Sequence, residues 1–171
     1  MTAIYMLFLF IFPALVIIAG VHDLTTMKIP NWISVVLFAA FFPTALLVGL
    51  PVKDILLSLG LATGVLVVGF VMFALRVIGG GDAKLLAAAS LWVGVSSVLY
   101  FFLYVALAGG AMSIMLIVSR KWFSYLPIGR IPNWVSRLME PKGDIPYGVA
   151  IAVAAALVFP STILVTRVLA L

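Results

Sequence analysis

Apolar residues fill most of the chain in long runs, and polar residues are confined to short breaks between them. The first run extends from about Ile4 to Val21 and gives way to His22-Asp23-Leu24-Thr25-Thr26-Met27-Lys28. Ile29-Pro30-Asn31 follows. Proline disfavours the helical region for the residue before it, so the next helix is predicted to begin near Asn31. That second run extends from about Trp32 to Leu50 and closes at Pro51, Lys53 and Asp54. A third spans about Ile55 to Ile78, where Gly60 and Gly64 either form a small-residue face that lets another helix approach closely or are simply tolerated in a membrane helix. The charged break Gly79-Gly80-Gly81-Asp82-Ala83-Lys84 comes next, and three consecutive glycines predict a flexible or unusual backbone.

From Leu85 to Val118 no residue is charged. A single helix of that length would overrun a bilayer at ~1.5 Å rise per residue. A turn is therefore predicted within Trp92-Val93-Gly94-Val95-Ser96-Ser97, giving a short fourth segment and a fifth from about Val98 to Val118. Arg120 to Tyr147 is the one long polar stretch, with a short surface helix predicted from Trp134 to Met139. A last segment runs from about Pro146 to Val168. The fold predicted is an all-α integral membrane protein of about six transmembrane helices. It forms one membrane domain over 1–171, with a loop at about 119–146 and no separate soluble domain.

Composition supports that class. Of 171 residues, 66% are hydrophobic and 9% charged, whereas about a quarter are charged in soluble domains. No basic region precedes the first apolar run, so it is read as a membrane helix rather than a cleaved signal peptide. The net charge of +5 lies beside apolar spans, which points to topology and a lipid bilayer partner rather than to nucleic acid. With both termini outside, Lys28, Arg76, Lys84, Arg120, Lys121, Arg130, Arg137 and Lys142 fall inside, and only Lys53 and Arg167 fall outside. Basic residues accumulate on the cytoplasmic side, so both termini are expected to be non-cytoplasmic. The absence of cysteine and the single histidine exclude a cysteine nucleophile, thiolate zinc and multi-histidine metal sites; no metal or cofactor is expected.

One phrase occurs twice. Lys28-Ile29-Pro30-Asn31-Trp32 returns as Arg130-Ile131-Pro132-Asn133-Trp134. The repeat is read as chance in a chain rich in these residues, and both copies as interfacial, with tryptophan at the headgroups.

The chemistry rests on carboxylates. Asp23 follows the first span and Asp82 precedes the fourth, so both are predicted at helix ends near one membrane surface, as are Glu140 and Asp144. Asp54 falls on the other side as a solvated loop charge. Two carboxylates brought close tend to share a proton. One can then act as base toward water while the other polarises a carbonyl. Asp82 could instead cap the fourth helix. Lys84 is read as a snorkelling anchor and His22 as a structural or solvated histidine. The glycine run is not a phosphate loop, because it lacks the spacing and the terminal Lys-Ser/Thr pair.

Gly79-Gly80-Gly81-Asp82 fits the Gly-x-Gly-Asp signature of membrane aspartyl proteases. Asp23, with Lys28-Ile29-Pro30-Asn31 behind it, resembles the first catalytic motif of the type IV prepilin peptidases. Gly143-Asp144-Ile145-Pro146-Tyr147-Gly148 resembles that family's entry into its last helix. The resemblance implies that Asp23 and Asp82 are the catalytic pair. It also implies that Gly79 and Gly81, within the supporting motif of Gly79, Gly80, Gly81 and Lys84, give the second aspartate its backbone freedom. It implies prepilin or pseudopilin substrates, whose short leader is removed at the cytoplasmic face of the inner membrane. Larger members also carry Cys-x-x-Cys motifs and methylate the new N-terminus. With no cysteine, this chain looks like the small peptidase-only form of the tight-adherence (Flp) type, or like archaeal preflagellin peptidases.

Two other readings are set beside it. Presenilin-type proteases would place a Tyr-Asp motif inside a span, and no Tyr-Asp pair occurs here. A small transporter or pilus-assembly membrane protein would favour carboxylates in mid-span, whereas these are expected at span ends. The residues leave the oligomeric state open.

Overall fold

The structure, a computed structural model, describes residues 2–123, 132–141 and 143–170. Regular structure among these is helical throughout: α1 (Thr2–Thr26), α2 (Asn31–Leu47), α3 (Val52–Ala74), α4 (Gly80–Phe123), α5 (Asn133–Leu138), α6 (Tyr147–Val158) and α7 (Ile163–Leu169). A 3-10 turn, Phe159–Ser161, joins the last two at Pro160. Among the described residues four stretches are long and apolar enough to cross a membrane: Ile4–Thr26, Val52–Ala74, Gly80–Trp122 and Tyr147–Leu169. Asn31–Leu47 is a shorter apolar helix.

The α4 helix is broken at Gly94, with φ 72° and ψ 170°, a backbone conformation open essentially only to glycine. The predicted turn at 92–97 therefore lies there. Its two arms run in opposite directions, because Asp82 at the start and Arg120 near the end both reach the neighbourhood of Asp144. At the bend Ser97 donates to the Ser161 carbonyl at 3.1 Å.

The first arm of α4, residues 80–93, is the centre of the bundle. Leu85, Ala89, Leu91, Trp92 and Val93 are fully buried. Trp92 stacks on Phe12 of α1 at 5.4 Å and meets Phe41 of α2 edge-on at 5.9 Å. Its indole N–H donates to the Leu37 carbonyl at 2.8 Å, which satisfies the polar atom of this buried ring. Small residues set the helix spacing. A Cβ on Gly20 of α1 would stand 2.9 Å from the Ala152 Cβ of α6, and one on Gly69 of α3 would stand 2.9 Å from the Ala83 Cβ of α4. Of the two readings of Gly60 and Gly64, close approach fails, since a Cβ at either meets open space. On α3 it is Gly69 that admits a neighbour, because that turn faces the small Ala83.

Three other expectations are corrected. The first helix continues through Asp23 to Thr26 rather than ending near Val21, taking Gly20 within it, and no proline follows until Pro30. The break after the fifth segment begins later than residue 119, because α4 carries Arg120 and Lys121 in its last turn. Asp54 sits in the first turn of α3 rather than in a loop, where a carboxylate favours the helix dipole. Both Pro-Asn-Trp phrases start a helix with proline as the N-cap, Pro30 for α2 and Pro132 for α5. Arg130 and Ile131 of the second copy, and Lys142, lie outside the described residues. The predicted surface helix is α5, one residue earlier than expected.

Candidate active site

Asp23 stands in the last turn of α1 and is 6% exposed. Its Oδ2 accepts a 2.7 Å hydrogen bond from the Gly148 backbone N–H, across 125 residues of sequence. Gly148 is the second residue of α6, whose N-cap is Pro146 with no side-chain cap. The first amides of a helix have no partner within it, so Asp23 serves as the missing cap from another helix and fixes its own carboxylate in doing so. The approach is close enough to require glycine. A Cβ at 148 would lie 2.8 Å from both the Cβ and Oδ2 of Asp23 and 3.0 Å from the Ile29 Cδ1.

Asp82 is half-buried in the first turn of α4. Its carboxylate turns back to the Gly79 backbone N–H, while the Ala83 N–H donates to the Gly79 carbonyl at 3.1 Å. This is one half of a capping box, the return bond from the third helical position, since Gly79 has no side chain to complete it. The capping alternative is thus partly realised, with Gly79 as the N-cap and Asp82 bonding back from the third helical position.

The glycines do not act through unusual backbone angles. Among the described residues only Gly49 and Gly94 are glycines of positive φ, and Gly80 and Gly81 are helical. What they provide is room. A Cβ would fall 2.7 Å from the Asp82 Oδ2 at Gly79, 3.3 Å from the Phe73 ring at Gly80 and 3.1 Å from the Ile29 Cβ at Gly81.

The two carboxylates face one cavity of about 390 Å³, lined also by Met27, Arg76, Asp144 and Tyr147. A second opening of about 310 Å³, reaching Lys28, Ile29 and the three glycines, also touches both aspartates. The charge of Asp23 acts directly on Asp82, so ionising both together costs more than ionising one. Lys84 points away from the pair and donates from Nζ to Asn31 Oδ1 at 2.9 Å. His22 is structural, its Nδ1 lying 2.8 Å from the Lys28 carbonyl and 2.8 Å from the Thr26 hydroxyl. Among the described residues no three His, Asp or Glu side chains cluster as a metal site.

Further ties hold the frame around the cavity. Arg120 donates from Nε to the Leu138 carbonyl at 2.9 Å and from Nη2 to the Asp144 carbonyl at 2.8 Å, which fixes the approach to α6. Arg137 of α5 donates to the Thr26 carbonyl at the end of α1 at 3.3 Å. Residue-type reasoning brings together Asp23, Asp82 and Asp144, but it does not single out Gly148, Met27 or Arg76. The only signal for Gly148 is its place in the Pro-Tyr-Gly phrase that opens α6.

Comparison with known proteins gives one family. The model of the type IV leader peptidase family matches residues 10–114, which include both aspartates. No curated protein and no solved structure matches the chain.

Proposed function

We infer that this chain, which belongs to the type IV leader peptidase family, is an aspartic endopeptidase that removes the leader from prepilin-type substrates. The observation that carries the reading is the convergence of Asp23 and Asp82 on one cavity, each anchored by a backbone amide at a helix N-terminus. Such anchoring holds two carboxylates in place without consuming their remaining lone pairs, and positioning of this kind is what lowers a hydrolytic barrier.

The two acids would share one proton. The ionised carboxylate takes a proton from a water as its oxygen bonds to the scissile carbonyl carbon, and the protonated partner donates to the carbonyl oxygen. The C–N bond then breaks, with the abstracted proton passing to the departing amine and one hydroxyl proton of the intermediate returning to the second carboxylate as the carbonyl re-forms. Openings on two sides of the pair leave room for chain on both sides of the scissile bond.

The active end is proposed to face the cytoplasm, in the inner membrane. Lys28, Arg76, Lys84, Arg120, Lys121 and Arg137 gather at the aspartate end, whereas Arg167 bonds the Gly49 carbonyl at the opposite end. That asymmetry matches the distribution of basic residues in cytoplasmic loops. The proposal is leader removal without N-methylation, in keeping with a chain that carries no cysteine.

Reconstitution of the purified protein with a prepilin in labelled water tests the reading. It predicts two products, one 18O atom in the new leader carboxylate and an unmethylated new N-terminus. An intact prepilin after prolonged incubation with folded protein would refute it.

A further inference from the structure

Helices α2 and α3 end in the same way, and the difference between them lies at the cavity. After α2, the Gly49 N–H donates to the Leu46 carbonyl and the Leu50 N–H to the Ala45 carbonyl. After α3, the Arg76 N–H donates to the Phe73 carbonyl and the Val77 N–H to the Met72 carbonyl. Both closures need a residue in the left-handed region, the position usually given to glycine. Gly49 takes it with φ 65°. Arg76 takes it with φ 59°, a conformation that costs a non-glycine residue roughly 1 kcal/mol.

Met27 and Arg76 are the only positive-φ non-glycine residues among those described, and both line the aspartate cavity. At the far end of the bundle the chain uses the unstrained residue; beside the carboxylates it keeps a side chain. The Arg76 side chain has no hydrogen bond or ion pair to any described residue, and it is exposed within the cavity wall. A free guanidinium in a cavity offers a planar fork of donors that matches a carboxylate in two parallel bonds.

We propose that Arg76 is a specificity-determining residue that pairs with an acidic side chain of the substrate close to the scissile bond. The assignment rests on the leader-peptidase reading of the cavity. It implies that the strained backbone at 76 is retained for substrate selection, and that the acid is carried past Asp23 and Asp82 only because Arg76 offsets their repulsion. An arginine that merely anchored lipid headgroups would leave peptide selection untouched.

The test measures binding of fluorescent peptides to the full-length protein in nanodiscs, with cleavage recorded separately. The peptides span the scissile bond of a prepilin. Each carries one glutamate, walked over roughly five positions on either side of the bond, the reach of extended chain across such a cavity; its match carries glutamine. The wild type is expected to bind one glutamate peptide about tenfold or more tightly than its match, the size of a charge-assisted hydrogen bond. Arg76→Gly should abolish the preference while unfolding at the same or a higher temperature, and Arg76→Lys should keep part of it. A preference that survives Arg76→Gly, equal affinities at every position, absent saturable binding, or a lower unfolding temperature for Arg76→Gly would overturn the proposal. Because binding is read without hydrolysis, failure to cleave counts against the peptidase reading alone.

Discussion

Gly148→Ala probes the contact that positions the first aspartate. The added methyl would stand 2.8 Å from the Asp23 Cβ and Oδ2, short of ordinary carbon contact by roughly 0.7–1 Å. The Asp23 Cβ is tied to the α1 backbone and cannot swing aside as the tip of a long side chain could. Either α1 and α6 separate or the carboxylate rotates off the Gly148 amide, and both outcomes break the 2.7 Å bond. Displacing a reacting group by about 1 Å costs on the order of 100-fold in rate. Overpacking a close contact costs roughly 1–3 kcal/mol of stability. The prediction is a fall of about 100-fold in kcat with KM nearly unchanged, measured on prepilin with equal amounts of folded protein.

Gly20→Ala is the matched control. It crowds the same helix pair, its Cβ standing 2.9 Å from the Ala152 Cβ and 3.3 Å from the Gly148 carbonyl oxygen, but it meets neither the Asp23 carboxylate nor the Gly148 amide that holds it. It should lower thermal stability, be relieved in part by Ala152→Gly, and lower kcat much less than Gly148→Ala does. A Gly148→Ala protein that kept kcat within about threefold of wild type would refute the positioning argument. So would a Gly20→Ala protein that lost activity to the same extent.

Two more outcomes follow from the same geometry. Gly94→Ala forces a side chain into a glycine-only backbone region at the α4 bend; it should destabilise the protein by about 1–3 kcal/mol, seen as a lower unfolding midpoint in detergent. Lys84→Met removes only the bond to Asn31, so cleavage should continue within about threefold, and loss of activity at normal accumulation would show that Lys84 serves the reaction directly.

Much of this organisation is written in local pattern. The uncharged run after Leu85 is too long for one crossing, and the glycine that breaks it falls inside the stretch where a turn was required. Asp23 and Asp82 stand out because carboxylates are rare in so apolar a chain, and each borders a span. What local pattern hides is contact at a distance. Nothing near Gly148 announces that its amide meets a carboxylate 125 residues earlier. The glycines before Asp82 invite an explanation from backbone freedom, yet three neighbours (Asp82 itself, Phe73 and Ile29) account for them by space. Arg76 reads as one more inside cation until its φ is compared with that of Gly49.

The central claim is that Asp23 and Asp82 act together as the hydrolytic pair. It is tested most directly by prepilin cleavage in membranes containing wild type, Asp23→Asn or Asp82→Asn, accumulated to equal levels. Asparagine keeps the shape of each side chain and removes its acid–base function, so each single change should lower cleavage by about 100-fold to 10,000-fold. Normal processing by either variant would contradict the claim, and Asp144, the third carboxylate lining the cavity, would take the place of the aspartate that proved dispensable.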